Sequence, residues 1–288
     1  MTQITETLLQ SWSPESAWWF GALLGDGHVP RPSSTGYGRV TLVGARSTVS
    51  RWQALVTPDD APLYEFAHSP GTFRSDIGSS VLLHQLAAKG LSGPKTFNLP
   101  WPSDIPDAVL PHFIRGLWDT DGCLSIIDRS KHGRRGNPQP QAIYVSVCQP
   151  FVEKLAAEIH RVSGLPLHNV TTVQRPTAPI HRVAYVGVQA HTFADWLYGA
   201  APERLRNEDR MEVYAKFLEL RAKRCACGGV IYSKDQCRTC WDAAIPNTTG
   251  EGTQCSRGCG RPVLAKGLCN ACRKRDARAL AKAAKLSA

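Results

Sequence analysis

WWFGALLGDGHV, from Trp18 to Val29, and FIRGLWDTDGCL, from Phe113 to Leu124, share one pattern of residue types. In each, a glycine inside an apolar run is followed four positions later by a small residue, Gly25 after Gly21 and Thr120 after Gly116. Each run closes on Asp-Gly, which puts Asp26 and Asp121 in matching places about 95 residues apart. Self-similarity at that distance implies a duplicated half-domain.

Small residues at i and i+4 lie on one helix face and let two backbones approach closely. Two such helices side by side bring Asp26 and Asp121 together at the base of their interface. Paired carboxylates with no basic neighbour in sequence suit a hard divalent cation such as Mg²⁺, which prefers oxygen ligands and keeps positions open for water and phosphate. Gly27 and Gly122 release the chain from each helix into a following strand. The plainer alternative is two ordinary buried helices that end in Asp.

The rest of the first 220 residues fits a repeat of helix, two strands, helix, two strands, helix. In the second copy the spacing predicts a helix over 111–121, strands in CLSIID and AIYVSVC, a helix from Pro150 to about Val162, strands in NVTTVQR and HRVAYVGV, and a closing helix in AHTFADWLYG. The first copy predicts a helix near Ser16–Gly25, a strand near Arg39–Val43, a short helix from Thr48, strands near Leu63 and Phe73, and a helix over Ser79–Lys89. Four strands with helices on one face leave an open face that must meet something polar.

These motifs are similar to those of the LAGLIDADG homing endonucleases, in the single-chain form with two motif copies. The nine-residue motif aligns as Trp19–Gly27 and as Ile114–Gly122, with Leu24 where the name motif has its first Asp. The resemblance implies an α+β fold of two pseudo-symmetric αββαββα repeats whose sheets form a saddle over the DNA major groove. It also implies that Asp26 and Asp121 are catalytic and hold Mg²⁺, with Gly25 and Thr120 beside them in the metal site. Lys95, in GLSGPKTFNLP, lies where intein-type members carry an active-site lysine. In the second half the family's Arg-Lys pair reads Arg206-Asn207, which leaves the second basic residue open. His28 follows the first motif directly and is expected to be a solvent-facing or strand-edge histidine. Trp18, Trp19, Trp101 and Trp118 are expected to pack, and Cys123 and Cys148 to be core residues.

With 288 residues and 42% hydrophobic content the chain can bury one sizeable core plus an appendage. No basic start precedes an apolar run, and no run approaches a membrane span, so a cytoplasmic protein is expected, in a bacterial or phage-infected cell. The formal charge of +10 is unevenly placed. Residues 1–220 hold 20 Lys and Arg against 20 Asp and Glu, and residues 221–288 hold 14 against 4. A short basic segment of this kind points to a polyanion, nucleic acid before membrane.

Eight of the ten cysteines fall in the same tail. Cys225, Cys227, Cys237 and Cys240 form one group; Cys255, Cys259, Cys269 and Cys272 form another, with nine residues inside each. Two thiolate pairs around a short hairpin suit a tetrahedral Zn²⁺ site, and an intracellular chain would keep the alternative disulfides reduced. The first group looks like a zinc ribbon. The second, ending in GLCNAC and a basic run, looks like the second half of a GATA-type or treble-clef finger, with a shorter spacing. Arg273, Lys274, Arg275 and Arg278 follow it and suit phosphate contacts. A purely structural or protein-binding zinc module is the other reading.

Basic loop residues complete the expected DNA surface: Arg129, Lys131, Arg134 and Arg135 in DRSKHGRRGN, and Arg31 and Arg39 at the ends of the corresponding first-copy loop. The sequence thus predicts a monomeric, Mg²⁺-dependent, site-specific endonuclease of double-stranded DNA with a long asymmetric target. The expected boundaries are 1–108 and 109–221 for the repeats, 222–245 and 255–288 for the zinc modules, and 246–254 for a linker. A non-cleaving DNA- or RNA-binding protein of the same fold, a transcriptional regulator or intron maturase, remains the alternative. An intein is disfavoured because residue 1 is no nucleophile and the chain does not finish in His-Asn.

Overall fold

The structure is a computed structural model. It describes residues 5–32, 38–57, 62–102, 104–127, 138–222, 231–233, 236–237, 259, 271–272 and 275–276. The chain divides into two compact units, Met1–Ala222 and Lys223–Ala288.

The larger unit is built on two helices, α1 (Pro14–Asp26) and α4 (Leu110–Thr120). Helix α1 starts at Ser13, whose hydroxyl accepts from the Ser16 N–H at 3.1 Å while the Ser13 N–H donates to the Ser16 hydroxyl at 2.7 Å. This reciprocal box, with Pro14 in the first turn, fixes the start of the helix. Every residue from Ser16 to Leu24 is buried, as a helix apolar on all sides must be.

Glycine makes the pairing of the two helices possible. A Cβ on Gly21 would stand 2.2 Å from the Phe113 carbonyl oxygen, and one on Gly116 would stand 2.2 Å from that of Trp18. Trp18 and Phe113 occupy the same place in their repeats, so the contact is reciprocal, as a two-fold axis between the helices requires.

After α1 come β1 (Gly27–His28), β2 (Arg39–Ala45), α2 (Arg46–Ala54), β3 (Tyr64–Glu65), β4 (Thr72–Gly78) and α3 (Ser80–Ala88). After α4 come β5 (Cys123–Ile127), β6 (Gln139–Ser146), α5 (Gln149–Ser163), β7 (Thr171–Val173), β8 (Ile180–Val186) and α6 (Val188–Ala194), which a π-helical turn at Asp195–Gly199 extends. Both halves therefore run αββαββα, as predicted. Their antiparallel sheets have the same order, β1-β2-β4-β3 and β5-β6-β8-β7.

Strand alternation separates two faces. Val40, Leu42, Ser75 and Ile77 point into the core of the first sheet, and Leu124, Ala142, Tyr144, Val183 and Tyr185 into that of the second. The opposite face of the first sheet carries Arg39, Thr41 and Arg74; that of the second carries Gln141, Val145, Arg182 and Val186.

Three details depart from the sequence reading. Helix α2 begins at Arg46 rather than Thr48. Cys123 is exposed and not in the core, because Leu124 takes the inward position in β5; Cys148 is buried as expected. Arg39 opens strand β2, in keeping with the strand expected near Arg39–Val43. A fifteen-residue helix, α7 (Glu208–Ala222), follows the second repeat and was not predicted. Trp18, Trp19 and Trp118 are fully buried, Trp19 stacked on Trp52 at 4.8 Å, and Trp101 packs edge-on to Phe113.

The smaller unit is described only in part. Strands β9 (Ile231–Ser233) and β10 (Gln236–Cys237) pair antiparallel inside the first cysteine group. Cys225, Cys227, Cys240, Cys255 and Cys269 lie outside the described residues, as do Arg129, Lys131, Arg134, Arg135, Arg273, Lys274 and Arg278.

Candidate active site

Asp26 is the last residue of α1, and Asp121 caps the C-terminus of α4. The glycine contacts hold these two helix ends together: a Cβ on Gly25 would stand 2.1 Å from the Thr120 hydroxyl and 3.5 Å from the Asp121 carboxyl carbon. Thr120 is turned into the seam, where its hydroxyl donates to the Gly116 and Leu117 carbonyls at 3.1 and 3.2 Å.

A cleft of about 780 Å³ opens over the pair. Gly25, Asp26, His28, Arg31, Pro94, Lys95, Asp121, Val145 and Ser146 are among its walls. Asp121 presents surface to this cleft, yet loss of hydration beside its neighbours and the adjacent Asp26 carboxylate together raise its pKa to about 7 against the opposing pull of Lys95. Two carboxyls this close resist carrying two charges without a cation between them.

Lys95 supplies one cation. Its ammonium donates to the Leu24 carbonyl at 2.5 Å and to that of Gly25. These are last-turn carbonyls of α1, where the helix dipole favours positive charge. Burial draws the lysine pKa down to about 8, opposed by Asp121 and Asp26. The loop that delivers it is pinned by Gly93, which donates its N–H to Val29 O at 2.8 Å and has φ of +72°, a conformation that suits glycine. Arg31 lies against that glycine: a Cβ there would stand 2.9 Å from Arg31 Nε. Arg31, predicted as a loop contact to DNA, thus sits on the rim of the cleft beside Lys95. His28 is exposed on the short edge strand β1, as expected, and borders the same cleft.

Among the described residues the second repeat places no equivalent lysine at the cleft. Arg206 donates from Nε to Ala201 O at 2.9 Å. Asn207 is buried, caps α7 by accepting from Arg210 N at 3.2 Å, and donates to the Thr48 hydroxyl at 2.7 Å. Sequence reasoning passed over Arg210, one helical turn further on, which donates to the Gly122 carbonyl at 2.6 Å. Asn207 followed by Glu208 and Asp209 is a helix-start signal that would have placed it.

Behind the cleft lies a buried acid. Asp119 accepts from Trp18 Nε1 at 2.8 Å and from the Tyr198 hydroxyl at 2.9 Å, and burial raises its pKa to about 6. Its counterpart in the first repeat is Leu24.

Among the described residues no group of three or more His, Cys, Asp or Glu is placed to hold a metal. The donor set at the cleft, two adjacent carboxyls open on one side, nonetheless fits a hard divalent cation that completes its shell with water and phosphate oxygens. In the smaller unit the Cys259 and Cys272 sulfurs lie 3.8 Å apart, and Cys272 is buried.

No protein-family model matches the chain, and no curated protein matches it. Solved structures similar to it include the I-LtrWI LAGLIDADG homing endonuclease bound to target DNA, at 11% identity and TM-score 0.41, over 72% of this chain and 92% of that one. The LAGLIDADG meganuclease I-CpaMI bound to uncleaved DNA gives 12% identity and TM-score 0.45, over 73% and 91%. I-DmoI in complex with DNA and calcium gives 10% and 0.42, over 67% and 95%.

Proposed function

We propose that this chain is a site-specific endonuclease that hydrolyses both strands of a long, asymmetric DNA target. The observation that carries the reading is the pair Asp26 and Asp121, brought together at the ends of two glycine-packed helices with Lys95 beside them. Asp26 and Asp121 would hold Mg²⁺, with the Gly25 carbonyl and Thr120 adjoining. A divalent cation there supplies charge against the phosphate and makes water more acidic. Lys95, held by the α1 carbonyls, faces the phosphate and offsets the charge that develops on its oxygens. Arg31 and His28 on the rim position the strand that enters the cleft.

The two outward sheet faces are the surfaces offered to the major groove, which is wide enough to admit a β-ribbon. Because the halves are joined and unlike, neither half-site need mirror the other, and a monomer suffices. Repeats over 1–108 and 109–221 form the nuclease; the modules over 222–245 and 255–288, joined by 246–254, bind Zn²⁺ and add phosphate contacts outside the core footprint. The sulfur separation of Cys259 and Cys272 supports a zinc site, since thiolates about 2.3 Å from a tetrahedral ion sit about 3.8 Å from each other. A disulfide would hold them near 2 Å. No helix among the described residues is long and apolar enough to cross a membrane.

One observation favours a second reading: the described second repeat places no cation in the cleft, as a non-cleaving regulator or maturase would permit. Capture of double-strand ends from a large DNA library in Mg²⁺, with the intact protein and with Asp26→Ala plus Asp121→Ala, separates the two. Ends that share one long motif and vanish in the double variant are expected. Sequence-selective binding without any cut would replace the nuclease by the binding protein.

A further inference from the structure

The turn that carries Lys95 also carries an aromatic ring with nothing over it. Around it the large apolar residues turn inward: Leu91 is fully buried, and Leu99 and Trp101 pack against the core. Phe97 does not, and is 74% exposed. Two Phe, Tyr or Trp side chains are exposed among the described residues; Tyr64 lies under the Arg74 guanidinium at 5.8 Å, and Phe97 has no such cover. A lone ring at a surface is ordinary. This one is fixed in place beside the basic wall of the cleft.

The tip cannot fold its ring away. The Asn98 N–H donates to Lys95 O at 3.2 Å, closing a turn in which Thr96 and Phe97 are the two central residues. On one side the Lys95 ammonium is bonded to α1 and Gly93 to Val29 O; on the other Leu99 is held by the core. Lys95, Thr96 and Leu99 are walls of the cleft, and Phe97, between them, projects outside it. Two residues span at most about 7 Å, so a phosphate held by Lys95 brings its own base step within reach of the ring. The ammonium and the phenyl then meet the two parts of a nucleotide, its phosphate and the flat face of its base. Lys95 and Arg31 at the cleft favour a polyanion here over an apolar patch of another protein. A side chain held ready in this way loses little freedom on binding.

We propose that Phe97 is a wedge: with DNA in the cleft, its ring enters the stack at the base step next to the phosphate on Lys95 and takes one base onto its face. The inference rests on the cleft holding DNA, as in the proposed function, and adds a contact to bases where the other residues of the cleft meet phosphate. Prising a step apart costs least at TA and CA/TG, which unstack most readily, so the wedge also sets a preference for such a step in the target.

The test uses duplexes of the sequence recovered by end capture, or by selection on binding where no ends appear, with a fluorescent aminopurine in place of one adenine at a time and Ca²⁺ in place of Mg²⁺. Binding should brighten the aminopurine at one step only, and that step should be TA or CA/TG. Phe97→Ala should melt at the same temperature as the intact protein, abolish the signal and weaken binding by about tenfold, whereas Phe97→Trp should keep both signal and affinity. Changing the step to AA should weaken binding by the intact protein and leave that of Phe97→Ala unaffected. A bound duplex with no brightened step, or with the same signal in Phe97→Ala, would overturn the wedge and leave the endonuclease reading standing. A lower melting temperature for Phe97→Ala would mean that the ring is already covered, by the smaller unit or by a second copy of the chain, and would overturn the wedge too. A chain that neither selects nor cuts any duplex would overturn both.

Discussion

Trp18 of α1 donates its indole N–H across the helix seam to Asp119 of α4 at 2.8 Å, and Tyr198 holds the acid's other oxygen at 2.9 Å. The acid is fully buried, and Arg115, itself buried, adds a stabilising charge nearby. Asp119→Leu copies the first repeat's residue at this place but leaves an indole N–H and a phenol without partners. Unpaired buried donors and an unbalanced guanidinium should cost about 3 kcal/mol, read as a lower urea midpoint at unchanged slope. An unchanged midpoint would mean that packing alone holds the seam.

Gly21→Ala and Gly116→Ala each drive a methyl to 2.2 Å from a backbone oxygen of the partner helix. The helices must separate to admit it, so each change should destabilise by about 3 kcal/mol or more. Gly164→Ala is the control. That residue has φ of +71° at the end of α5 with nothing near its Cβ position, and only the backbone penalty of about 1 kcal/mol applies.

His112 accepts from Arg115 Nη2 at 2.6 Å, and burial, aided by that guanidinium, depresses its pKa to about 4. The folded protein therefore refuses a proton that the unfolded chain takes up below its ordinary value near 6.5. Stability contributed by neutral His112 is lost as pH falls from about 6.5 towards 4. His112→Asn keeps an acceptor for Arg115 and removes the titration. Between pH 7 and pH 4.5 it should lose less stability than the unaltered protein, by about 1–2 kcal/mol once solvent screening is allowed for. Parallel pH profiles of the two proteins would count against this assignment.

In the proposed function Lys95 acts as a cation, and burial draws its pKa down to about 8. Cleavage should decline as pH rises through about 8, where the ammonium loses its proton. Lys95→Arg keeps the charge at all accessible pH values and should remove that alkaline limb, whatever it does to the maximum rate. An identical alkaline limb in both proteins would exclude Lys95 as its source.

Elemental analysis of the purified chain should find two zinc ions per molecule, and one after Cys272→Ala. Two ions retained in that variant would place Cys272 outside any metal site. Loss of zinc to a strong chelator should also weaken DNA binding at moderate salt, the outcome expected of the phosphate contacts proposed for the tail.

The element order was legible because it follows from apolar periodicity broken by Gly, Pro and Asp. The small residues at i and i+4 carried the further information that two helices touch. Cys123 was misread although alternation settles it: Val29 and Leu124 are the inward residues after each motif, so His28 and Cys123 face out. Helix α7 was missed because Arg206-Asn207 was read for a basic pair and not for the cap that Asn207 provides. What Lys95 bonds to could not be read at all. Leu24 and Gly25 lie about 70 residues away in sequence, and only the loop pinned at Gly93 brings the ammonium to their carbonyls. Nor does sequence reveal that Arg31 rests on Gly93.

The unlike residues at one place in the seam, Leu24 and Asp119, also set a rule for which helix can mate with which. Two copies of the first repeat would leave the Trp18 indole facing Leu24 and its N–H buried without an acceptor. Two copies of the second would bury a pair of acids, each opposite Phe113, which has no donor to offer. Only the unlike combination satisfies both sides. Severed between the repeats, the two pieces should seek each other and reject themselves, so choice of partner is written into the seam as well as into the covalent join.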